Sequence, residues 1–327
     1  MADTTFVYAV ILTALAAVFG QVLNWVFEPA FQHASRSQDG SNRNDELFNP
    51  EGFRGSKDNL VDVSIVVPAY NEQERLPVMM DRTLAFMDAW VAGTEGKGAT
   101  KRIGSYEIIV VDDGSQDDTS EVVRGYMEGR TQVRLFKLGK NVGKGGALKR
   151  GVQASLGHYV LIADADAATE IADLVALFNR VTDLEKQGNP IALAIGSRAH
   201  LRDSSVQVRA WYRTVLMYGF HVAVRLLCSA NIQDTQCGFK LFTRKAAKLL
   251  FRTLHLERWA FDVEIIYVAE RLNFPIAEEQ VVWEEVPGSK LIQGKWDVVT
   301  TSLTMARDML CVRLCYMLGI WPVPRLR

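Results

Sequence analysis

Two aspartates that directly follow a short apolar run are well suited to bind a metal ion. Asp164 and Asp166 flank Ala165 and come after residues 159–163, a run typical of a buried strand. Two carboxylates so spaced offer hard oxygen ligands to Mg²⁺ or Mn²⁺, which complete their coordination with water and substrate phosphates. An isolated triplet of this kind is more often a solvated loop, but its place after a strand favours a metal site at Asp164 and Asp166.

A second acidic pair follows the apolar run 106–111, which ends at Val111. Asp112 and Asp113 come next, then a Gly-Ser turn that leads into a helix. Ser115 suits helix capping, while Asp112 or Asp113 suits accepting hydrogen bonds from a nucleobase or a ribose. The sequence is compatible with both roles.

A third motif is the segment 68–72, Pro-Ala-Tyr-Asn-Glu. Tyr70 suits stacking on a base, and Glu72 suits accepting hydrogen bonds from ribose hydroxyls. Taken alone, the segment would be a simple strand exit, so the nucleotide role depends on the other motifs.

The glycine-rich segment 143–147 resembles a phosphate loop only superficially. A Walker loop needs the spacing GxxxxGK followed by Ser or Thr, whereas here Gly145 follows Lys144, which excludes an ATPase of that class. We expect the glycines to allow close backbone approach where a helix begins. We also expect the helix amino terminus to face an anionic ligand.

These motifs are separated by alternating strand and helix patterns. Continuous apolar strands that alternate with helices indicate an α/β fold with a mostly parallel sheet covered on both faces. Since ligands of such sheets bind at the carboxyl ends of the strands, the acidic motifs should converge on one crevice. The predicted strands are 63–67, 106–111, 133–138, 159–163 and 191–195, and the predicted helices lie near 75–91, 117–129, 144–156 and 170–187.

Composition excludes several classes of protein. The chain has 327 residues, of which 48% are hydrophobic and 23% charged, with a formal net charge of -1. These values exclude wholesale disorder and a polytopic membrane protein. The near-neutral charge also argues against nucleic acid as a partner.

The amino terminus predicts a single membrane anchor. Residues 4–27 carry no charge. As a helix, this segment is long enough to cross a hydrocarbon core, so we expect a transmembrane helix over 1–33. Lys and Arg follow this span and none precedes it, which predicts a cytosolic catalytic domain. Residues 34–59 are polar and predict a flexible tether.

Further segments suit contact with a lipid bilayer. Residues 211–228 and 296–321 are apolar with interspersed arginines, which fits helices lying in the membrane interface or, equally, amphipathic core helices. The expected organisation is a catalytic domain over 60–290, with an interfacial helix at about 205–229, and a membrane-associated amphipathic helix over 291–327.

Together the motifs resemble the family 2 glycosyltransferases of GT-A fold over residues 61–200. The segments 196–200, 213–228, 234–242, 257–264 and 288–291 are similar to those of the eukaryotic dolichyl-phosphate β-glucosyltransferases. The single anchor is also typical of that group. The resemblance implies transfer of glucose from UDP-glucose to dolichyl phosphate, giving dolichyl β-D-glucosyl phosphate for protein N-glycosylation. It also implies an inverting single displacement, dependent on Mg²⁺ or Mn²⁺, at the cytosolic face of the endoplasmic reticulum membrane.

The resemblance also implies roles for individual residues. Arg198 and Arg213 would bind the acceptor phosphate, and Arg198, Asp166 and Asp234 would be catalytic, Asp234 either as a base or by orienting the substrate. The implied nucleotide-sugar contacts are Pro68, Ala69, Tyr70, Glu72, Val111, Asp112, Asp113, Lys144, Asp164, Ala165, Asp166 and Lys290. In one departure, Ala168 stands where related mannose synthases place a metal-binding Gln, which favours a glucosyl enzyme.

Other functions are compatible with parts of the pattern. One is a mannosyltransferase that uses GDP-mannose and dolichyl or another polyprenyl phosphate. Others are a nucleotidylyltransferase, which would need no membrane span, and a catalytically inactive membrane scaffold with the same fold. The sequence leaves the oligomeric state open.

Overall fold

The protein is described by a computed structural model, which gives no bound groups. It describes residues 2–38, 45–51, 60–201, 219, 222, 224–229, 231–284, 286 and 295–324, with the backbone alone for 2–16, 36–38, 201 and 295–299. Arg213 and Lys290, and most of the predicted interfacial helix at 205–229, lie outside these residues.

One mixed sheet organises the part of the chain that the structure describes. Its strands are β1 (Glu46–Phe48), β2 (Val61–Ala69), β3 (Tyr106–Asp112), β4 (Val133–Lys137), β5 (Gly157–Ile162), β6 (Leu193–Ser197), β7 (Lys240–Thr243) and β8 (Ile276–Gln280). They lie in the order β1-β4-β3-β2-β5-β7-β6-β8. Strands β4, β3, β2 and β5 are parallel, as predicted. However, β7 runs antiparallel to both β5 and β6, and β1 runs antiparallel to β4, so the sheet as a whole is mixed.

Helices cover both faces of the sheet. They are α1 (Ala2–Gln38), α2 (Leu76–Ala92), α3 (Thr119–Met127), α4 (Lys144–Ala154), α5 (Leu174–Lys186), α6 (Arg244–Arg252), α7 (Phe261–Arg271) and α8 (Lys295–Met317). The helices predicted near 75–91, 117–129, 144–156 and 170–187 correspond to α2, α3, α4 and α5. Local signals set several ends: α2 has a proline in its first turn and ends at Gly93 in the left-handed region, and Thr243 Oγ1 accepts a hydrogen bond from the Ala246 amide that caps α6.

Alternation along the strands divides the core between the two faces. In β2, Ile65 and Val67 pack in one apolar cluster with residues of α2 and α5, while Val66 packs in the other with α4, α6 and α7. Successive side chains of a strand point to opposite faces, so a central strand must be apolar throughout. This explains why the parallel strands could be identified as short continuous apolar runs.

The amino-terminal helix packs against the carboxyl-terminal one. Arg307 Nη1 of α8 donates to Glu28 Oε2 of α1 at 2.5 Å, and Val26 is buried. Among residues with described side chains, no helix has the length and apolar character required to traverse a bilayer, so the predicted span has no support there. Residues 4–16 of that span lie outside the described side chains.

Two parts of the predicted tether, 34–59, are regular. Helix α1 continues to Gln38, and β1 adds to the sheet edge. The physical reason lies in polar side chains that find partners on the domain: Asp45 Oδ1 accepts from the Gly139 amide at 3.1 Å, and Asn49 Oδ1 accepts from Arg134 Nε at 2.8 Å.

The carboxyl-terminal helix contributes to the core along one face. Met309, Cys311, Val312 and Cys315 of α8 are completely buried, whereas Leu303 and Met317 are exposed. The buried face of α8 therefore packs as an amphipathic core helix, one of the two alternatives expected for residues 296–321.

A buried ion pair ties three strands together away from the ligand edge. Arg134 Nη1 of β4 donates to Glu107 Oε2 of β3 at 2.6 Å, and Glu107 Oε1 contacts Ser64 Oγ of β2 and accepts from the Leu156 amide at 2.6 Å. Because Glu107 and Arg134 are almost completely buried, losing one partner leaves an uncompensated charge in the interior.

We expect Arg134→Ala to lower the free energy of unfolding by about 3–5 kcal/mol, because the Glu107 carboxylate would stay buried without its partner. Urea unfolding followed by tryptophan fluorescence measures the change. The matched control is Lys186→Ala, which removes the exposed partner of Asp183 and should change stability by less than about 1 kcal/mol. Equal effects of the two substitutions would contradict the expectation.

Candidate active site

The acidic motifs meet at the carboxyl edge of the central parallel strands. Strand β2 lies between β3 and β5, with Ala69 opposite Asp112 and Val66 opposite Ile162. Asp164 follows Ile162 by two residues, so the exits of all three strands border the same region. The predicted position of the motifs at one edge of the sheet is confirmed, and a crevice between them stays a prediction.

Asp112 and Asp113 hold the loops at this edge. Asp112 Oδ1 accepts from the Ser115 amide at 2.8 Å, and its Oδ2 contacts Ser120 Oγ. Asp113 accepts from the amides of Val142 and Gly143 at 2.7 and 2.8 Å, and burial raises its pKa to about 6. Both carboxylates are buried and bond within the protein. Their described contacts are with these loops, and a contact with base or ribose stays a prediction.

The exit of β2 places one aromatic ring at the surface. Tyr70 follows Pro68 and Ala69 and is the exposed member of the motif. The Glu72 carboxylate instead accepts two hydrogen bonds from Arg75, at 2.7 Å from Nε and 2.5 Å from Nη2. This bidentate pair neutralises Glu72, and the sequence reasoning did not identify Arg75.

Asp164 and Asp166 are the more open acids. Their side chains are 38% and 28% exposed, on either side of the buried Ala165. Lys144 Nζ lies 2.6 Å from Asp164 Oδ1, and Arg75 Nη1 lies 4.0 Å from Asp166 Oδ2. Asp166 Oδ1 accepts from the Ala168 amide at 3.0 Å, so Ala168 orients Asp166 through its backbone.

The donor set fits a divalent ion that shares its shell with phosphate. In the described ranges, no three His, Cys, Asp or Glu side chains are grouped to hold a metal. Asp164 and Asp166 supply partly exposed carboxylate oxygens, and Mg²⁺ commonly takes one or two carboxylates and completes its shell with water and substrate phosphates. Asp164 and Asp166 are therefore the residues that would hold it.

Gly238, which the motif analysis had not singled out, makes room for Asp164. A Cβ atom at this position would lie 2.3 Å from Asp164 Oδ2 and 2.6 Å from Asp164 Cγ. Real Cβ atoms do not approach so closely, so the carboxylate occupies its position only because residue 238 has no side chain.

Arg198 and Asp234 form a second charged pair at the adjoining strands. Arg198 Nε and Nη2 donate to the two oxygens of Asp234 at 2.8 and 3.1 Å, and the Arg198 amide donates to Asp234 Oδ2 at 3.0 Å. The Arg198 guanidinium also lies 5.4 Å from the ring centroid of Trp283. Burial acts to raise the pKa of Asp234, but the hydrogen bonds and charge of Arg198 outweigh it and hold that pKa below its usual value. A carboxylate so stabilised is a weak base.

The glycines at the start of α4 pack against the segment before α7. Close approach at the glycines is confirmed, since a Cβ on Gly145 would lie 2.7 Å from both the Leu256 carbonyl oxygen and Phe261 Cβ. However, the Gly145 and Gly146 amides donate to the carbonyl oxygens of Arg258 and Glu257, at 3.2 and 2.8 Å. These two amides are occupied within the protein, and that the amino terminus of α4 faces an anionic ligand stays a prediction.

A buried pair behind the crevice was also missed. Lys240 Nζ contacts Asp262 Oδ1 and donates to the Thr235 carbonyl oxygen at 2.9 Å. Both residues lie in segments that are similar to the glucosyltransferases, 234–242 and 257–264. However, neither residue follows a predicted strand, and neither belongs to one of the acidic motifs. The signal that could have found Lys240 is a lysine that opens a short apolar run.

Comparison with known proteins gives matches along most of the chain. Residues 64–251 match the glycosyl transferase family 2 domain. A dolichyl-phosphate beta-glucosyltransferase of Dictyostelium discoideum is 49% identical over 266 residues, 80% of this chain and 76% of that protein. The Homo sapiens protein of the same name is 42% identical over 337 residues, 100% of this chain and 99% of that protein.

Among solved structures, glucosyl-3-phosphoglycerate synthase from Mycobacterium tuberculosis in complex with Mn²⁺ and uridine-diphosphate-glucose is 18% identical. The similarity covers 81% of this chain and 80% of that one with a TM-score of 0.46.

We expect Gly238→Ala to weaken binding of Mn²⁺ at least about 10-fold, because the added methyl group displaces the Asp164 carboxylate. Isothermal titration calorimetry measures the affinity. Gly125→Ala in α3 is the matched control, since a Cβ there meets nothing within 4 Å. Unchanged affinity in a folded Gly238→Ala protein would show that the position of Asp164 does not matter for binding.

Proposed function

The chain belongs to glycosyl transferase family 2, and from that membership we propose that it is a dolichyl-phosphate β-glucosyltransferase. It transfers glucose from UDP-glucose to dolichyl phosphate. The observation that carries this proposal is the 42% identity to the Homo sapiens dolichyl-phosphate beta-glucosyltransferase over 100% of the chain. The match spans the whole chain, both terminal segments included.

The charges of the site suit a displacement between two phosphates. The acceptor is a phosphate monoester, largely ionised near neutral pH, so it needs little help from a general base. Attack on the anomeric carbon of an α-linked donor with departure of UDP inverts the configuration to β. The residues contribute mainly by positioning the two substrates and compensating their charge.

The donor side is formed by the acids at the exits of β2 and β5. Asp164 and Asp166 would hold Mg²⁺ or Mn²⁺, which supplies charge compensation to the diphosphate as it leaves. Lys144, 2.6 Å from Asp164 Oδ1, adds a cation at the same place, and Tyr70 offers a ring for stacking. Lys290 is proposed on the donor side from the resemblance alone.

The acceptor side is formed by Arg198, with Arg213 added from the resemblance. Guanidinium groups bind phosphate through paired hydrogen bonds. Asp234 accepts hydrogen bonds from Nε and Nη2 of Arg198 and so fixes this side chain. This supports a role for Asp234 in orienting Arg198 over a role in proton transfer. Within the described part of the chain, Asp234 occupies Nε and Nη2, and we assign Nη1 to a substrate phosphate.

The finer assignments of architecture and location form part of the proposal. The mixed sheet with flanking helices is assigned to the GT-A fold of this family. The catalytic domain occupies about residues 60–290, and the chain resides at the endoplasmic reticulum membrane with this domain in the cytosol. The amino-terminal apolar segment, with lysines and arginines only after it, supports that orientation.

We expect detergent-solubilised protein to convert labelled UDP-glucose and dolichyl phosphate into a glucosylated lipid in the presence of Mg²⁺ or Mn²⁺. Chelation by EDTA should abolish the product, because the diphosphate would lose its compensating ion. Thin-layer chromatography of the lipid fraction measures the reaction. Preference for GDP-mannose in competition would instead indicate a mannosyltransferase, and absence of product with any donor would indicate an inactive scaffold.

We expect Asp234→Asn to lower kcat/KM about 10- to 100-fold, because Arg198 loses part of its support. Combining it with Arg198→Lys separates the two roles of Asp234. If Asp234 acts through Arg198, the double variant should lose little more than the more damaging single variant. The base role would be restored if Asp234→Asn alone lowered kcat/KM by several orders of magnitude and the double variant lost the product of the two single losses.

A further inference from the structure

A buried lysine and a buried aspartate lie directly behind the proposed site. Lys240 is 0% exposed and Asp262 is 5% exposed. The charges contact each other, and Lys240 Nζ also donates to the Thr235 carbonyl oxygen at 2.9 Å. Removing two charges from water costs free energy that their attraction often fails to repay, so such a pair is a poor stabiliser. Its presence beside the crevice calls for another role.

The backbone of Lys240 lies between the two halves of the site. In the sheet register, Lys240 is opposite Ile162 of β5 and opposite Ile195 of β6. Asp164 follows Ile162 by two residues, and Arg198 follows Ile195 by three. Strand β7 therefore begins between the donor-side and acceptor-side charges.

The first residues of α4 and α7 lie in contact. A Cβ on Gly145 would lie 2.7 Å from Phe261 Cβ, so Gly145, next to Lys144, packs directly on Phe261, next to Asp262. Burial acts to lower the pKa of Lys144, but the charges of Asp164 and Asp262 raise it above the usual value. The Lys144 ammonium is thus attracted by carboxylates from two different elements.

Lys240 also reaches the acceptor side through the backbone. Thr235, whose carbonyl oxygen it binds, directly follows Asp234. Asp234 holds Arg198, so the buried ammonium fixes the chain beside the residue that orients this guanidinium. One pair therefore contacts or attracts groups on both sides of the crevice.

We propose that Lys240 and Asp262 are positioning residues for the glucosyl transfer: Lys240 holds both Asp262 and the backbone at Thr235, and the Asp262 carboxylate attracts the Lys144 ammonium that pairs with Asp164. This inference rests on the proposed function. It accounts for a buried ion pair at a place where apolar side chains would fill the same space.

The test is the apolar double variant Lys240→Met/Asp262→Leu. A purely structural pair should be replaceable, so this protein should fold with an unfolding midpoint equal to or above that of the wild type. We nevertheless expect kcat/KM for UDP-glucose to fall about 10- to 100-fold, because Lys144 and Asp234 lose their support. A folded double variant with wild-type kcat/KM would overturn the inference.

The matched control is Arg134→Met/Glu107→Gln, which alters a pair that is equally buried but lies at the opposite end of the strands. It should keep the wild-type kcat/KM per folded molecule whatever its stability. A comparable loss of activity in this control would show that any buried-pair change has the same effect, and would overturn the inference.

A second variant covers the case in which the double variant does not fold. Asp262→Asn keeps the shape and one acceptor oxygen for Lys240 but removes the charge that attracts Lys144. We expect a higher KM for UDP-glucose with a smaller change in the KM for dolichyl phosphate. Equal KM values in variant and wild type would overturn the inference.

The same samples separate failure of the inference from failure of the proposed function. If the wild type forms no glucosylated lipid, the function is rejected. Mn²⁺-dependent UDP binding, measured by calorimetry, then still tests the placement of Lys144. Weaker UDP binding by the double variant supports the inference, and equal binding overturns it.

Discussion

Charge compensation at the carboxyl edge of the sheet is the constraint on which the site depends. Three carboxylates at this edge are each paired with a cation: Glu72 with Arg75, three residues further along the chain, Asp164 with Lys144 and Asp234 with Arg198. An uncompensated acid here would be destabilising, and a fully compensated one would have no attraction left for a metal ion. Partial exposure of Asp164 and Asp166 resolves this conflict, because their remaining oxygens can still bind a cation beside a diphosphate.

The sheet makes this arrangement possible by placing distant segments side by side. Strands β3, β2 and β5 are parallel, so their carboxyl ends lie at one edge although they are far apart in sequence. Reversal of direction at β7 then brings residues 234–240 to the same edge from the opposite side. The donor and acceptor halves of the site therefore meet at the boundary between the parallel and antiparallel parts of the sheet.

Close packing sets the positions of the charged groups as firmly as their attraction does. Gly238 leaves room for the Asp164 carboxylate, and Gly145 lets α4 approach the segment before α7. The Gly145 and Gly146 amides at the start of α4 donate to carbonyl oxygens of residues 257–258. Lys144, the first residue of the helix, contacts Asp164 through its side chain. The sheet, the glycines and the ion pairs thus together set the position of the Lys144 side chain.

The sequence by itself determined the parallel core, the helices that follow its strands and the acidic motifs at the strand ends. Buried strands must be apolar throughout, and polar groups at their exits must lie at one edge, so both features can be read from local patterns. Only the tertiary structure decided the partners. Arg75, Lys240, Asp262 and Gly238 belong to the site because distant segments meet, and β7 could not be identified from its four residues. Electrostatic pairing and steric fit depend on distances across the fold, which spacing along the chain does not encode.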